Sequence, residues 1–278
     1  MSAEVNREAL EPRRHLTGYN HLDTLRDLIR KDTGKVLRDI SPNDEMFSGD
    51  ERHYFSVGES ALESIEIALL AARRSKSSIR RILDIPCGHG RVLRYVKAAF
   101  PEAEITACDL ARDAVDYCAS VFGVIPIYSK QQPKQIKLKG GYDLIWCGSL
   151  LTHLDESRSA DFLSLFNSLL SENGILIFTL HGISCVYAVR EGYFSYNLDE
   201  AGKKQLQRRF AQRGYWYANY PDRKNYGIAF TAPSWVAKQF LQLPDFRLLT
   251  YTEMGWDNHQ DVVSCIREPF DLRVRRVL

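Results

Sequence analysis

At 278 residues and 45% hydrophobic content, the chain has the material for a substantial core, arranged as one large domain or two small ones. Its 37 basic residues stand against 35 acidic ones, a formal charge of +2, so no overall field gathers polyanions and nucleic acid is a disfavoured partner. No apolar run reaches bilayer length, and the start MSAEVNREALEPRRH lacks the unbroken apolar segment of a secretory signal, so no membrane span and a cytoplasmic location are expected.

Residues 1 to about 50 are highly charged, with one helix predicted around HLDTLRDLIRKD and ending near Gly34. SPNDEMFSGDERHYFSVGES then reads as loop and turn. From Ala61 helix and strand alternate: ALESIEIALLAAR is helical, RRILDIP a strand, GRVLRYVKAAF a helix, AEITACDL a strand, ARDAVDYCASVF a helix and VIPIYS a strand. YDLIWCGS, SADFLSLFNSLL and GILIFTLH continue as strand, helix and strand. In that last helix Phe162, Leu165, Phe166 and Leu169 form one apolar stripe at i, i+3, i+4, i+7. Successive Val, Ile and Leu mark strands buried on both faces, hence a parallel sheet with helices on each side.

Between Ile183 and Asn225 the rhythm breaks into a segment rich in aromatics and carrying a basic helical piece, which reads as an insertion over the sheet's edge or mouth. SWVAKQFLQL follows as a helix, and FRLLTYTEM and DVVSCIRE lie close enough for an antiparallel pair that finishes the sheet. The fold expected is a doubly wound α/β domain with a mostly parallel seven-stranded sheet whose last strand is antiparallel. The cysteines at 87, 108, 118, 147, 185 and 265 form no C-x-x-C pair, which suits buried reduced thiols better than disulfides or zinc.

The stretch ILDIPCGHGRVL places a glycine-bearing turn between the first core strand and a helix expected from about Arg91, where open α/β sheets bind nucleotide-like groups. Leu93 breaks the G-x-G-x-x-G spacing of a dinucleotide site, and no P-loop is present. Asp84 precedes the turn, and Asp109 ends the second strand, where a carboxylate accepts two hydrogen bonds from a ribose diol. The ligand expected therefore contains an adenosine-like ribose. The plainer alternative makes GHG a tight connection and Asp109 a helix N-cap.

In DIPCGHG, GYDLIWCGSLLTHL, NGILIFTLHG and GWDNHQDVVSCIRE the chain resembles the class I S-adenosylmethionine-dependent methyltransferases, from about His53 to Glu268. It is similar to bacterial members associated with polysaccharide or glycan modification. The resemblance implies S-adenosylmethionine as cofactor and a small-molecule or glycan acceptor. It implies that Asp84 orients the turn and senses the cofactor's amino group, with Pro86 where the family's first glycine usually falls and Cys87 beside it. Gly88 and Gly90 would admit the cofactor to the backbone, Asp109 hold its ribose and Leu110 pack on adenine, with Ser129 or a backbone group in place of the usual acidic contact. Cys147, Gly148 and Ser149 would line the sulfonium side, and Tyr54 and Gly58 would close over it. The organisation expected is an N-terminal helical lid or arm (1–52), a cofactor-binding core (53–182), a substrate-side insertion (183–226) and a C-terminal helix and strands completing the sheet (227–278).

An alcohol or amine acceptor calls for a base, and histidine titrates nearest neutral pH. Three histidines are placed for this: His153, after the fourth strand, is the first candidate, His181, ending the fifth, the second, and His259 opens the last strand. Packing is the plainer alternative for each, and His89 reads as a cap of local backbone or a shield for the cofactor. Tyr193, Tyr196, Tyr215, Trp216, Tyr217, Tyr220 and Tyr226 are expected to shape the acceptor pocket, whereas Lys203, Lys204, Arg208 and Arg209 could receive a phosphate or carboxylate but read first as a solvated helix face. Asp257, Asn258 and Asp261 suit a turn, and no metal is expected. WCGSLL lacks the D-P-P-Y motif of many nucleic-acid methyltransferases, which weighs against that class; an RNA methyltransferase and a non-catalytic cofactor-binding scaffold are the alternatives to a small-molecule or glycan enzyme.

Overall fold

The structure, a computed structural model, describes residues 35–221, 223 and 225–268, so the helix expected around 21–32 lies outside the described residues. Helix α1 (Glu51–Ala71) begins where the Asp50 carboxylate accepts a hydrogen bond from the His53 amide at 3.1 Å. It occupies the second half of the segment read as loop and turn. Ser56, Gly58 and Ser60 resemble turn punctuation, but Gly58 sits mid-helix because a Cβ there would strike the Arg91 carbonyl oxygen and the Tyr95 ring.

The alternation then runs as expected through β1 (Arg81–Asp84), α2 (Leu93–Ala99), β2 (Glu104–Asp109), α3 (Arg112–Phe122), β3 (Ile125–Tyr128), β4 (Tyr142–Cys147), α4 (Glu156–Leu169) and β5 (Leu170–Leu180). Helix α2 starts two residues later than the sequence suggests, and α3 ends at Gly123, whose φ of 63° suits a left-handed cap. An insertion follows: α5 (Ile183–Arg190), α6 (Glu200–Arg213) and the antiparallel ribbon β6 (Tyr215–Asn219) and β7 (Gly227–Thr231). Helix α7 (Pro233–Gln242) leads to β8 (Phe246–Trp256) and β9 (Gln260–Arg267).

The main sheet has seven strands in the order β3-β2-β1-β4-β5-β9-β8. β1 to β5 pair in parallel, and β9 enters antiparallel between β5 and β8. This is the doubly wound methyltransferase topology, and its strand order reverses between β1 and β4, which opens a crevice at their carboxyl ends.

Alternate strand residues feed two cores. Ile82, Ile105, Leu144 and Ile175 pack under α1, α2 and α3, while Leu83, Cys108, Ile145 and Leu176 pack under α4 and α7. Phe162, Phe166 and Leu169 of the expected stripe are buried there, with Leu165 at the margin. The insertion has a third, smaller core built from Val189, Leu206, Trp216, Ile228 and Phe230. It is tied to the main sheet where the Thr231 amide donates to the His181 carbonyl oxygen at 2.8 Å. All six cysteines are free and buried, and among the described residues no helix is long and apolar enough to cross a membrane.

Candidate active site

Strand β1 delivers Asp84 to the crevice, followed by a cis Ile85–Pro86 peptide and a turn with Gly88 at φ 48° and Gly90 at φ 85°. Glycine takes these left-handed angles without cost. A Cβ at Gly88 would meet nothing within 4 Å, which leaves open space at the turn, whereas one at Gly90 would lie 2.5 Å from the Phe122 ring. Gly90→Ala is therefore expected to destabilise the protein by about 1–3 kcal/mol through overpacking and backbone strain, seen as a lowered melting temperature.

The Asp109 carboxylate braces this turn. One oxygen accepts the Gly88 amide at 2.8 Å and the other the Ala111 amide at 2.9 Å. Each oxygen keeps acceptor capacity, so a diol can bind without breaking the brace. The cap position of α3 is Ala111, so Asp109 closes a local turn ahead of the helix instead of capping it.

Asp84 differs. It is 1% exposed, and neither carboxylate oxygen has a hydrogen-bond partner. Burial, then the charge of Asp109, pushes its pKa well above the usual carboxylate range. An unpartnered buried carboxylate is costly unless something cationic completes it. An ammonium at Asp84 and a diol at Asp109, one on each side of the glycine turn, match the two ends of S-adenosylmethionine, so the residues present fit that group.

Leu110, next after Asp109, is 56% exposed, an apolar surface at the mouth of the crevice. Cys147 is buried at the end of β4, near enough to Asp84 that burial and that charge both raise its thiol. Gly148 fits tightly beneath Trp146 and Trp256. Ser149, at φ 58°, donates its amide to Thr179 Oγ1 at 2.7 Å; Thr179 donates to Gln260 Oε1 at 2.6 Å, and Gln260 Nε2 returns to Ser149 Oγ at 3.1 Å. This closed ring fixes the β4 end against β5 and β9.

Tyr54 and Gly58 lie in the helix α1. Gly58 packs on Arg91 and Tyr95, and the Tyr54 hydroxyl donates to the Asp44 carboxylate at 2.5 Å. Arg94, 1% exposed and not singled out in the sequence, organises this corner: it donates to the carbonyl oxygens of Gly90 (3.0 Å), Leu37 (2.9 Å) and Asp39 (3.0 Å). The segment before α1 is thereby pinned beside the glycine turn.

On the other side of the crevice three histidines form a row, with ring centroids 6.3 Å apart for His153 and His181 and 5.4 Å for His181 and His259. His153 Nδ1 lies 2.8 Å from the Gly227 carbonyl oxygen, and a carbonyl only accepts, so Nδ1 carries the proton and Nε2 is the free base. Its ring stacks on Tyr226 at 4.9 Å, and burial lowers its pKa. His181 Nδ1 likewise donates to the Ala229 carbonyl oxygen at 3.2 Å, and burial, with His259 and His153 nearby, pushes its pKa down to about 3. His259 Nε2 meets the Tyr196 hydroxyl at 3.1 Å.

Above this row lies a cleft of about 510 Å³ lined by Glu45, Asn197, Tyr220, Pro221, Arg223 and Tyr226. Tyr226 joins the two halves: it stacks on His153, and it sits near enough to Asp109 and Glu45 for both to raise its phenol, after burial. Asp257 and Asn258 adopt φ of 56° and 50° in the β8–β9 turn, and Asp261 accepts from the Tyr251 hydroxyl (2.7 Å) and the Met254 amide (3.0 Å). Among the described residues no group of three or more His, Cys, Asp or Glu is placed to hold a metal.

The sheet order and the glycine turn define the class I S-adenosylmethionine-dependent methyltransferase fold. Residues 83–176 match the family described as "Methyltransferase domain". The malonyl-[acyl-carrier protein] O-methyltransferase of Halalkalibacterium halodurans is 28% identical over 127 residues, 44% of this chain and 46% of that one. Its counterpart in Bacillus cereus is 27% identical over 117 residues, 42% and 43% of the two chains. The match thus spans just under half the length of these curated relatives. Among solved structures, an S-adenosylmethionine-dependent methyltransferase from Clostridium acetobutylicum superposes with a TM-score of 0.50 at 14% identity, covering 80% of this chain and 93% of that one. Magnesium protoporphyrin IX methyltransferase from Synechocystis, with bound SAH, gives 0.50 at 14% identity, covering 90% and 96%.

Proposed function

We propose that the chain transfers a methyl group from S-adenosylmethionine to a hydroxyl oxygen of a small molecule or glycan held in the aromatic cleft. The observation that carries this reading is Asp84, a fully buried carboxylate with both oxygens unpartnered beside an open glycine turn. When bound, the cofactor supplies a methyl already activated by its sulfonium. What falls to the protein is alignment, exclusion of water and removal of the acceptor proton.

Asp84 would hold the cofactor's ammonium, Asp109 its ribose hydroxyls and Leu110 its adenine, with the backbone at Pro86, Cys87, Gly88 and Gly90 forming the cradle. Cys147, Gly148 and Ser149 would wall the reacting side. His153 Nε2 would take the acceptor proton, and His181, held neutral by burial, would keep that side of the crevice polar without adding charge. Arg94, Tyr54 and Asp44 hold residues 35–50 beside the turn, which supports a lid role for the N-terminal segment. The cleft's tyrosines suit a sugar ring or a planar aglycone. The curated relatives are O-methyltransferases by name, which favours oxygen as the methylated atom.

The test is turnover: S-adenosylmethionine is incubated with hydroxylated sugars and phenols, and S-adenosylhomocysteine release is followed. Release that depends on the acceptor supports the reading. Release only with RNA points to a nucleic-acid enzyme, and cofactor binding without release on any acceptor points to a scaffold.

A further inference from the structure

Among the described residues that line the cleft, Arg223 is the one cation. Arg223 leans over the Tyr226 ring with its guanidinium carbon 5.6 Å from the centroid, and Tyr226 in turn stacks on His153. Among the described residues no ion pair holds Arg223, although Glu45 lines the same cleft. Its charge reaches Tyr220 and Tyr226, lowering phenols that burial raises. An arginine laid on an aromatic face keeps its planar fork oriented while its outer N–H groups stay free, which suits bidentate recognition of a planar or tetrahedral oxyanion. Both tyrosines remain protonated, so their hydroxyls can also donate to an anion.

We infer that Arg223 is a specificity-determining residue that selects acceptors bearing a carboxylate or phosphate group, placed one tyrosine ring away from the His153 base. The inference rests on the reading of this cleft as the acceptor site. Acceptors would then be acidic hydroxylated molecules, anchored at Arg223 and presenting a hydroxyl toward His153. Glu45 works against such a ligand by charge and sets the far limit of the anion's position.

Three probes that share a 4-hydroxyphenyl ring separate the possibilities: 4-hydroxybenzoate, 4-hydroxyphenyl phosphate and the neutral 4-hydroxybenzamide, which matches the benzoate in shape. Each is titrated calorimetrically into the full chain, with and without saturating S-adenosylhomocysteine, for wild type, Arg223→Gln and Glu45→Gln. The expected result is that at least one anionic probe binds wild type tenfold or more tightly than the amide. Arg223→Gln should reduce that preference to near unity with S-adenosylhomocysteine affinity unchanged, and Glu45→Gln should strengthen it. The tighter of the two anions names the acceptor class. Equal binding of charged and neutral probes, no binding of either anion at millimolar concentration, or a preference that survives Arg223→Gln would overturn the inference. Failure of S-adenosylhomocysteine to bind while the preference persists would sink the methyltransferase reading and leave the anion site standing.

Discussion

Replacing Asp84 with asparagine is expected to raise the melting temperature of the protein at pH 8 and to weaken its binding of S-adenosylhomocysteine tenfold or more, about 1.4 kcal/mol. The two effects have opposite sign because they come from the same buried group. In the unfolded chain Asp84 ionises in the ordinary carboxylate range; in the folded protein burial and Asp109 hold its pKa well above that. The folded state therefore binds the extra proton, and stability falls as pH rises from the ordinary carboxylate pKa toward the raised one. Asparagine removes that loss, so the variant should gain most at alkaline pH and nothing in acid. A ligand ammonium would complete the ionised carboxylate and lose its main partner in the variant. S-adenosylhomocysteine binding should also release a proton, seen as a calorimetric enthalpy that changes with the buffer's heat of ionisation. A variant that melts lower at pH 8, or binds as wild type does, would remove Asp84 from this role.

His153→Ala should lower turnover by roughly 10²–10⁴, the range for a lost general base, while S-adenosylhomocysteine affinity stays within threefold of wild type. Only the neutral imidazole accepts a proton, and burial lowers the pKa of His153 below the ordinary histidine value. The wild-type rate should therefore be level through neutral pH and fall only on acidification below the usual histidine range. His153→Gln, which keeps a group able to donate to the Gly227 carbonyl, separates packing from proton transfer: it should stay folded and remain inactive. Unchanged turnover in both variants would exclude His153 from the chemistry.

The alternation of strands and helices from Arg81 to Leu180 was legible because burial on two faces writes runs such as RILD and YDLIWC, and because the glycine turn and Asp109 carry local signals. The start of α1 was not legible, since Ser and Gly in YFSVGES signal turns locally and the reason for Gly58 lies in Arg91 and Tyr95, far along the chain. His153 and His181 could be picked out by their places at strand ends. Their tautomers could not, because the carbonyls that set them, Gly227 and Ala229, belong to a ribbon 74 and 48 residues further along the chain. Arg94 is hidden for the same reason: it reads as a solvent-facing helix residue until the segment carrying Leu37 and Asp39 is laid against it. The orphaned oxygens of Asp84 are a property of packing alone. Spacing marks the residue, and only the fold shows that nothing in the chain completes it.

The most direct measurement is calorimetric titration of S-adenosylhomocysteine into the wild-type protein and Asp109→Ala. Asp109 both braces the Gly88 amide and would hold the ribose, so its loss strikes the cradle and the ligand together. Micromolar binding to wild type that weakens tenfold or more in the variant is the result expected of a cofactor site at this turn. No binding to folded wild-type protein, or equal binding to both proteins, would contradict it.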